Sequence, residues 1–124
     1  MLRDEMAAAI SFHRAADWTA KRARASRELG RSPGSEGSIG KLALSEAARR
    51  SNSVHSMISG ANGMLTETGD PTDAVVAEVL VSTPAQSIAG GTDEIQHNIL
   101  GETVLGLPRE PAPDRGLPFR QVNR

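Results

Sequence analysis

Glycine and proline interrupt this chain at only a few points and leave long segments between them that repeat with a helical period. The first segment contains no Gly or Pro before Gly30. Within it, Leu2, Met6 and Ile10 recur at steps of four, which places them along one face of a helix. We therefore predict a helix over about residues 2–29, ended by Gly30 and the loop "GRSPGSEG" that follows it.

A second helix is predicted over about residues 35–59. Its apolar side chains follow the helical period, and Glu46 and Arg50 are spaced to pair on its flank. The segment "SGANG" ends it, because glycine disfavours a helix interior. The apolar stripe consists of Ile39, Ala43, Ala47, Val54, Met57 and Ile58.

A third, shorter helix is predicted to begin at about residue 70. Asp70 suits the N-cap position, Pro71 the first helical position and Asp73 the third. Pro84 is expected to end this helix, because proline lacks the amide that continues the hydrogen-bonding pattern. The β-branched residues within "DAVVAEVLV" make a strand the competing prediction.

The last helix is predicted over about residues 93–105. Thr92 can cap it, and the two acids that follow Thr92 lie in the first turn, where the helix dipole favours negative charge. Gly106 and the proline two residues later end it. The proline- and arginine-rich residues 107–124 are expected to form an extended arm. The predicted fold class is therefore all-α, a bundle of about four helices.

Composition excludes several classes of function. The 124 residues include no cysteine, which rules out disulfides and thiolate chemistry. A net charge of −1, with one Trp, two Phe and no Tyr, gives no basis for a nucleic-acid partner or for binding to an anionic membrane. No apolar run is long enough to cross a bilayer, and the acidic N-terminus does not resemble a signal peptide. We expect a cytoplasmic protein.

Metal and phosphate motifs are weak in this sequence. The three histidines, His13, His55 and His97, are far apart and lack the spacing of a metal-binding helix, so no metal site is expected and each is interpreted as a surface or interface residue. The segment "GSEGSIGKL" departs from a phosphate-binding loop, because leucine follows the lysine and the glycines are one residue too far apart.

A glycine pair, Gly90–Gly91, precedes the Thr-capped helix. The first amides of a helix have no partner within it, and adjacent glycines allow a positive φ and close approach of another group. Such a helix start attracts phosphate. A plain turn explains the same two residues, so the pair alone does not decide between a binding site and a structural turn.

The longer string "GGTDEIQHNILGETVLGLPREP" closely resembles the C-terminal signature of the acyl-CoA dehydrogenase family. Two further segments agree with the family in order along the chain. "PGSEGSIGKLALSEAARR" is similar to a core-helix segment that carries a lysine, and "MISGANGML" is similar to a glycine-rich loop. The resemblance covers essentially the whole chain. It implies the helical C-terminal domain over residues 1–106, as an incomplete up-down bundle, followed by the tail at 107–124.

The resemblance implies an FAD-dependent enzyme that oxidises an acyl-CoA thioester to the 2,3-enoyl-CoA and passes electrons to an electron-transfer flavoprotein. It also implies that this domain joins subunits and lends its glycine-rich turn to the FAD of a neighbouring subunit. The cofactor-binding residues implied by position are Gly91, Thr92, Glu94 and Ala61.

Three positions depart from the family pattern. Gly90 stands where many members carry the catalytic glutamate, so no catalytic residue is assigned. Met57 stands where many carry glutamine, and His97 where arginine is usual. We expect the flavin and the acyl-CoA to lie largely against parts of such an enzyme outside this sequence, and one face of the first helix to be uncovered. Besides an enzyme portion, a non-catalytic partner subunit of a heteromeric dehydrogenase and an inactive gene fragment remain open.

Overall fold

The computed structural model of the chain describes residues 1–32, 34–65, 71–109, 111–112 and 116–121, with the backbone alone at 71–73 and 119. It contains four α-helices and two short 3₁₀ helices. No strand occurs in those residues, and the all-α prediction is confirmed. The helices are α1 (Leu2–Glu28), α2 (Glu36–Ser59), α3 (Pro71–Gln86) and α4 (Asp93–Thr103), and the 3₁₀ helices are Gly60–Met64 and Phe119–Gln121.

Helix α2 is the centre of the fold. It packs against α1, α3 and α4, whereas in the described part of the chain those three helices make no contact with one another. Helices α1 and α3 both run antiparallel to α2. The Arg50 guanidinium lies 4.9 Å from the centroid of the Phe12 ring, near the middle of α1, and Ser45 of α2 contacts Gln86 at the end of α3. The result is an open, up-down arrangement around one helix.

The predicted helix boundaries hold to within a few residues, with one correction. Pro84 does not end α3 but lies inside its last turn, and the helix continues to Gln86. A proline this close to the end removes a single amide, while later residues still bond back, as Ala89 N does to Ala85 O at 2.9 Å. The valines of this segment are helical, so the competing strand prediction is wrong. Asp70 and the side chain of Asp73 lie outside the described residues.

Helix α4 is shorter than predicted and ends at Thr103. The amides of Val104 and Leu105 both bond to Leu100 O, which tightens the chain, and Gly106 then adopts a φ of +66°. Beyond Gly106, the described residues up to 118 have no regular structure, and the tail closes with the 3₁₀ turn Phe119–Gln121.

Few large side chains are buried. Among the residues whose burial the structure describes, the apolar ones of the core are small, and an equal number of polar residues is buried beside them. On α1 the predicted apolar stripe is largely exposed, with Ile10 51% accessible, because α1 has α2 as its single described neighbour. None of the described helices combines the length and apolar character needed to cross a bilayer. The buried apolar residues are Ala9, Ala47, Val54, Val76 and Ala77, and the buried polar ones are Ser38, Ser45, Asn52, Thr83 and Gln96.

Two glycine substitutions that test this packing should change the free energy of unfolding in opposite directions. A β-carbon at Gly63 would lie 2.9 Å from Ser59 Cβ and 3.2 Å from Val76 Cγ1, so Gly63→Ala should lower the free energy of unfolding by about 1–3 kcal/mol. A β-carbon at Gly40, inside α2, meets nothing within 4 Å, so Gly40→Ala should raise it by roughly 0.5–1 kcal/mol. Urea titration followed by circular dichroism measures both, and equal effects would contradict the packing described for Gly63.

Candidate functional site

Three polar side chains on one face of α2 reach toward the segment between α3 and α4. Lys41, Ser45 and Arg49 follow one another at steps of four residues, so they line up along the helix. We call them the α2 polar row, and we call residues 87–92 the glycine turn. Ser45 Oγ donates to Gln86 O at 2.9 Å, and Ser45 itself is 1% exposed. This bond satisfies a carbonyl at the C-terminus of α3 that has no partner within the helix.

Lys41 and Arg49 hold both ends of the glycine turn. Lys41 Nζ donates to Ser87 O at 3.0 Å and to Asp93 Oδ1 at 2.5 Å. Arg49 Nη1 donates to Ser87 Oγ at 2.6 Å and to Asp93 Oδ2 at 2.9 Å. The cations thus lie between the C-terminus of α3 and the first residue of α4. Both helix ends favour this arrangement, with positive charge at the C-terminus and a carboxylate at the N-terminus.

The Asp93 carboxylate is the most strongly perturbed group of the site. The side chains of Lys41 and Asp93 are each 13% exposed. Hydrogen bonds from Lys41, and then from Arg49, hold the pKa of Asp93 well below its usual range. The same pairing with Asp93 raises the pKa of Arg49. Asp93 is therefore ionised at neutral pH and fully engaged within the chain, which leaves it no role as an acid or base.

The two glycines of the turn both have positive φ, +70° at Gly90 and +93° at Gly91. The largely buried Gln96 donates from Nε2 to Gly90 O at 3.0 Å and fixes the peptide between them. A β-carbon at Gly91 would lie 2.9 Å from Gln96 Nε2, whereas one at Gly90 would meet nothing within 4 Å. Positive φ favours glycine at both positions, and a β-carbon at Gly91 would in addition displace the Gln96 side-chain amide.

Thr92 caps α4 as predicted. Its Oγ1 accepts a hydrogen bond from Ile95 N at 3.3 Å, and Asp93 and Glu94 occupy the first turn. The backbone amide of Glu94, and then the Thr92 hydroxyl, lower the pKa of the Glu94 carboxyl. Within the described residues, the amides of 90–92 have no acceptor. The turn therefore presents amide donors beside an ionised carboxylate that accepts.

Ala61 does not join the other three predicted cofactor-binding residues. It lies in the 3₁₀ helix Gly60–Met64, which packs against α2 and α3 and, within the described residues, does not contact α4. Gly91, Thr92 and Glu94 are brought together in one turn by their sequence, whereas Ala61 occupies a separate loop near the other end of α3.

A cavity of about 460 Å³ between α2 and α3 begins beside the glycine turn. Arg49 lines it, as do Asn52, Ser56 and Met57. Asn52 Oδ1 and Ser56 Oγ are buried and have no hydrogen-bond partner. Unpartnered buried oxygens are costly in a folded protein, which makes these two the least satisfied polar atoms described between α2 and α3. Met57, at the usual glutamine position, contributes no hydrogen bond there.

The α2 polar row and Gln96 were missed by sequence reasoning. The apolar stripe gave no signal for this row, since Ala43 and Ala47 face α1 while Ser45, two residues from each, lies on the opposite side of α2. The partners of Lys41 and Arg49 lie 52 and 44 residues away along the chain, so only the fold identifies them. His97 is exposed on α4. In the described ranges, no group of three or more His, Asp or Glu side chains is placed to bind a metal ion.

Comparison with protein families matches residues 3–105 to the model described as "Acyl-CoA dehydrogenase, C-terminal domain". The match contains all four helices, the α2 polar row and the glycine turn. Comparisons with curated proteins and with solved structures give no match to the chain.

Substitutions in the α2 polar row should lower the free energy of unfolding, and more so when they remove more hydrogen bonds to the glycine turn. Ser45→Ala deletes one buried hydrogen bond and should lower the free energy of unfolding by about 1 kcal/mol. Lys41→Met deletes two bonds and leaves Asp93 with Arg49 alone, so the loss should be larger. Chemical denaturation compares the two, with the exposed Lys21→Met as control. A smaller loss for Lys41→Met than for Ser45→Ala would contradict this ranking.

Acid should weaken the same contacts. Because the folded-state pKa of Asp93 is depressed, its stabilising contribution is complete above about pH 4 and is lost as the pH falls below that value. Asp93→Asn should therefore lower Tm clearly at about pH 7, and the gap to the unaltered chain should narrow at about pH 3. Thermal melts across this range measure the gap, and a constant gap would show that Asp93 is not held as described.

Proposed function

The chain belongs to the acyl-CoA dehydrogenase family, whose C-terminal domain it matches, and from this premise we propose that it forms the C-terminal portion of an FAD-dependent acyl-CoA dehydrogenase. In such an enzyme, bound FAD supplies the hydride acceptor for oxidation of an acyl-CoA thioester to the enoyl-CoA. The contribution of this chain is to contact the cofactor and to join subunits. An electron-transfer flavoprotein is the proposed electron acceptor.

The single observation that carries the cofactor contact is the fixed, open glycine turn. Its two glycines carry no side chains of their own, and the amides of 90–92 are without acceptors in the described residues. The α2 polar row holds both ends of the turn, so these donors are in place before a ligand binds. Preorganised donors bind without a further cost of ordering the loop. Gly91 would act through its amide.

Thr92 and Glu94 would serve different groups of FAD. The Glu94 carboxylate is ionised and accepts only, which suits hydroxyl or amine donors and opposes phosphate. The backbone amides suit carbonyl or phosphate oxygens. Ala61 would contribute through its backbone, so the alanine side chain is no obstacle there.

A non-catalytic partner subunit is the second candidate, favoured by Gly90. No side chain at this position can take a proton, and the φ of +70° is one that a glutamate would rarely adopt. Proton abstraction from an acyl-CoA would then fall to another part of the enzyme or to a fuller subunit. The exposed apolar face of α1, which includes Leu2, Met6 and Ile10, is the proposed contact with a second copy or with that subunit.

Recovery of flavin with the tagged chain tests the proposal. The chain is purified from its native host, the visible spectrum of the eluate is recorded, and co-eluting chains are identified. We expect a flavin spectrum together with a subunit that carries a catalytic carboxylate. Thr92→Val, which lacks the hydroxyl, should reduce the flavin per chain severalfold, whereas Thr92→Ser should not.

Circular dichroism of both Thr92 variants separates loss of flavin from loss of the α4 cap, since unfolding would change the helix content. Colourless wild-type eluate without such a partner would contradict the proposed function. Equal flavin content in the valine and serine variants would remove Thr92 from the contact. The chain freed of any partner should show no acyl-CoA oxidation, because Gly90 offers no base.

A further inference from the structure

Two histidines that are 42 residues apart in sequence, His13 on α1 and His55 on α2, line the same cavity of about 360 Å³ between these helices. The cavity lies against α1, which contacts neither α3 nor α4 in the described residues, so it is separate from the glycine turn. Apolar side chains, among them Ile10 and Val54, form much of the remaining wall.

His13 and His55 line the same cavity from the two antiparallel helices α1 and α2. Side chains on a helix lean toward its N-terminus. Because α1 and α2 run in opposite directions, the His13 and His55 side chains tilt in opposite directions along the line where the helices pack. Both rings reach Ser51. His13 Nε2 is 3.4 Å from Ser51 Oγ, and His55 Nδ1 is 2.6 Å from Ser51 O.

Hydrogen bonding also sets the tautomer of each ring. His13 Nδ1 lies 2.8 Å from Ala9 O, and His55 Nδ1 bonds to Ser51 O. A carbonyl oxygen can only accept, so Nδ1 carries the proton in both neutral rings and Nε2 carries a lone pair. A histidine whose Nδ1–H donates to a backbone carbonyl is oriented in the way that metal-binding histidines usually are. The long contact of His13 Nε2 with the Ser51 hydroxyl is weak and is easily exchanged for a stronger bond.

We propose that His13 and His55 form a two-histidine site for a divalent late transition-metal ion, bound through both Nε2 atoms and bridging α1 to α2. Imidazole nitrogen favours zinc, nickel and copper over magnesium or calcium, which prefer oxygen ligands. Ser51 Oγ and water can fill the remaining positions. Arg14 lines the same cavity and its charge opposes a cation, so the site binds less tightly than a fully ligated zinc centre.

Calorimetric titration of the full chain with Zn²⁺ near pH 7.5 tests the site. We expect one zinc per chain. His13→Gln and His55→Gln should each weaken binding by at least about tenfold, since even loss of an outer-shell partner costs about 10–100-fold. His97→Gln is the matched control, an exposed histidine on α4 that should leave binding unchanged. Arg14→Gln should tighten binding, because it removes a positive charge from the wall of the cavity.

Histidine ring signals in the NMR spectrum of the unaltered chain give a readout that does not depend on how the variants fold. Zinc should shift or broaden the signals of His13 and His55 together and leave that of His97 in place. Absence of binding at millimolar zinc, unchanged affinity in either His13→Gln or His55→Gln, an equal loss in His97→Gln, or one zinc per two chains would each overturn the proposal.

Discussion

The ion pair between Lys41 and Asp93 is the most buried contact that ties the glycine turn to α2. Helices α3 and α4 do not touch in the described part of the chain, so packing between them cannot fix the turn that joins them. Each is instead held to α2, and Lys41 bonds to both Ser87 O and the Asp93 carboxylate. Removing either charge would leave the other largely buried with one fewer partner, and for this reason such pairs hold a geometry firmly.

Because the core residues are small, polar contacts rather than apolar packing position the glycine turn. The buried apolar side chains are alanines and valines, which cover little area and bring little of the directional fit that locates one helix against another. Hydrogen bonds are directional, and the three side chains that donate them, placed one helical turn apart along α2, fix both the distance and the register of the segment opposite. Ser45 lies in the middle of this row and is the most deeply buried of the three.

The helices were predictable from the sequence, because their causes are local. Gly30 ends α1, Thr92 caps α4, and the apolar period along α2 identifies its buried face. The error at Pro84 came from a local rule applied too strictly, since the helix continues for two residues past a proline whose missing amide removes one bond. The contacts of Lys41 and Arg49 could not be predicted in this way. They depend on residues far along the chain, and the sequence alone offers several acids for each cation.

The two faces of α2 make different kinds of contact with the elements that pack on them. On the face toward α3 and α4, charged and buried polar bonds fix the glycine turn, and Gly90 and Gly91 keep it open for close approach. On the face toward α1, the contacts are small apolar residues and the stacking of Arg50 on Phe12, while the large side chains Met6, Ile10 and Trp18 remain exposed. A helix with a single neighbour leaves much of its apolar surface in contact with solvent. A partner that covers the outer face of α1 would bury these side chains, whereas the glycine turn is already bonded within the chain.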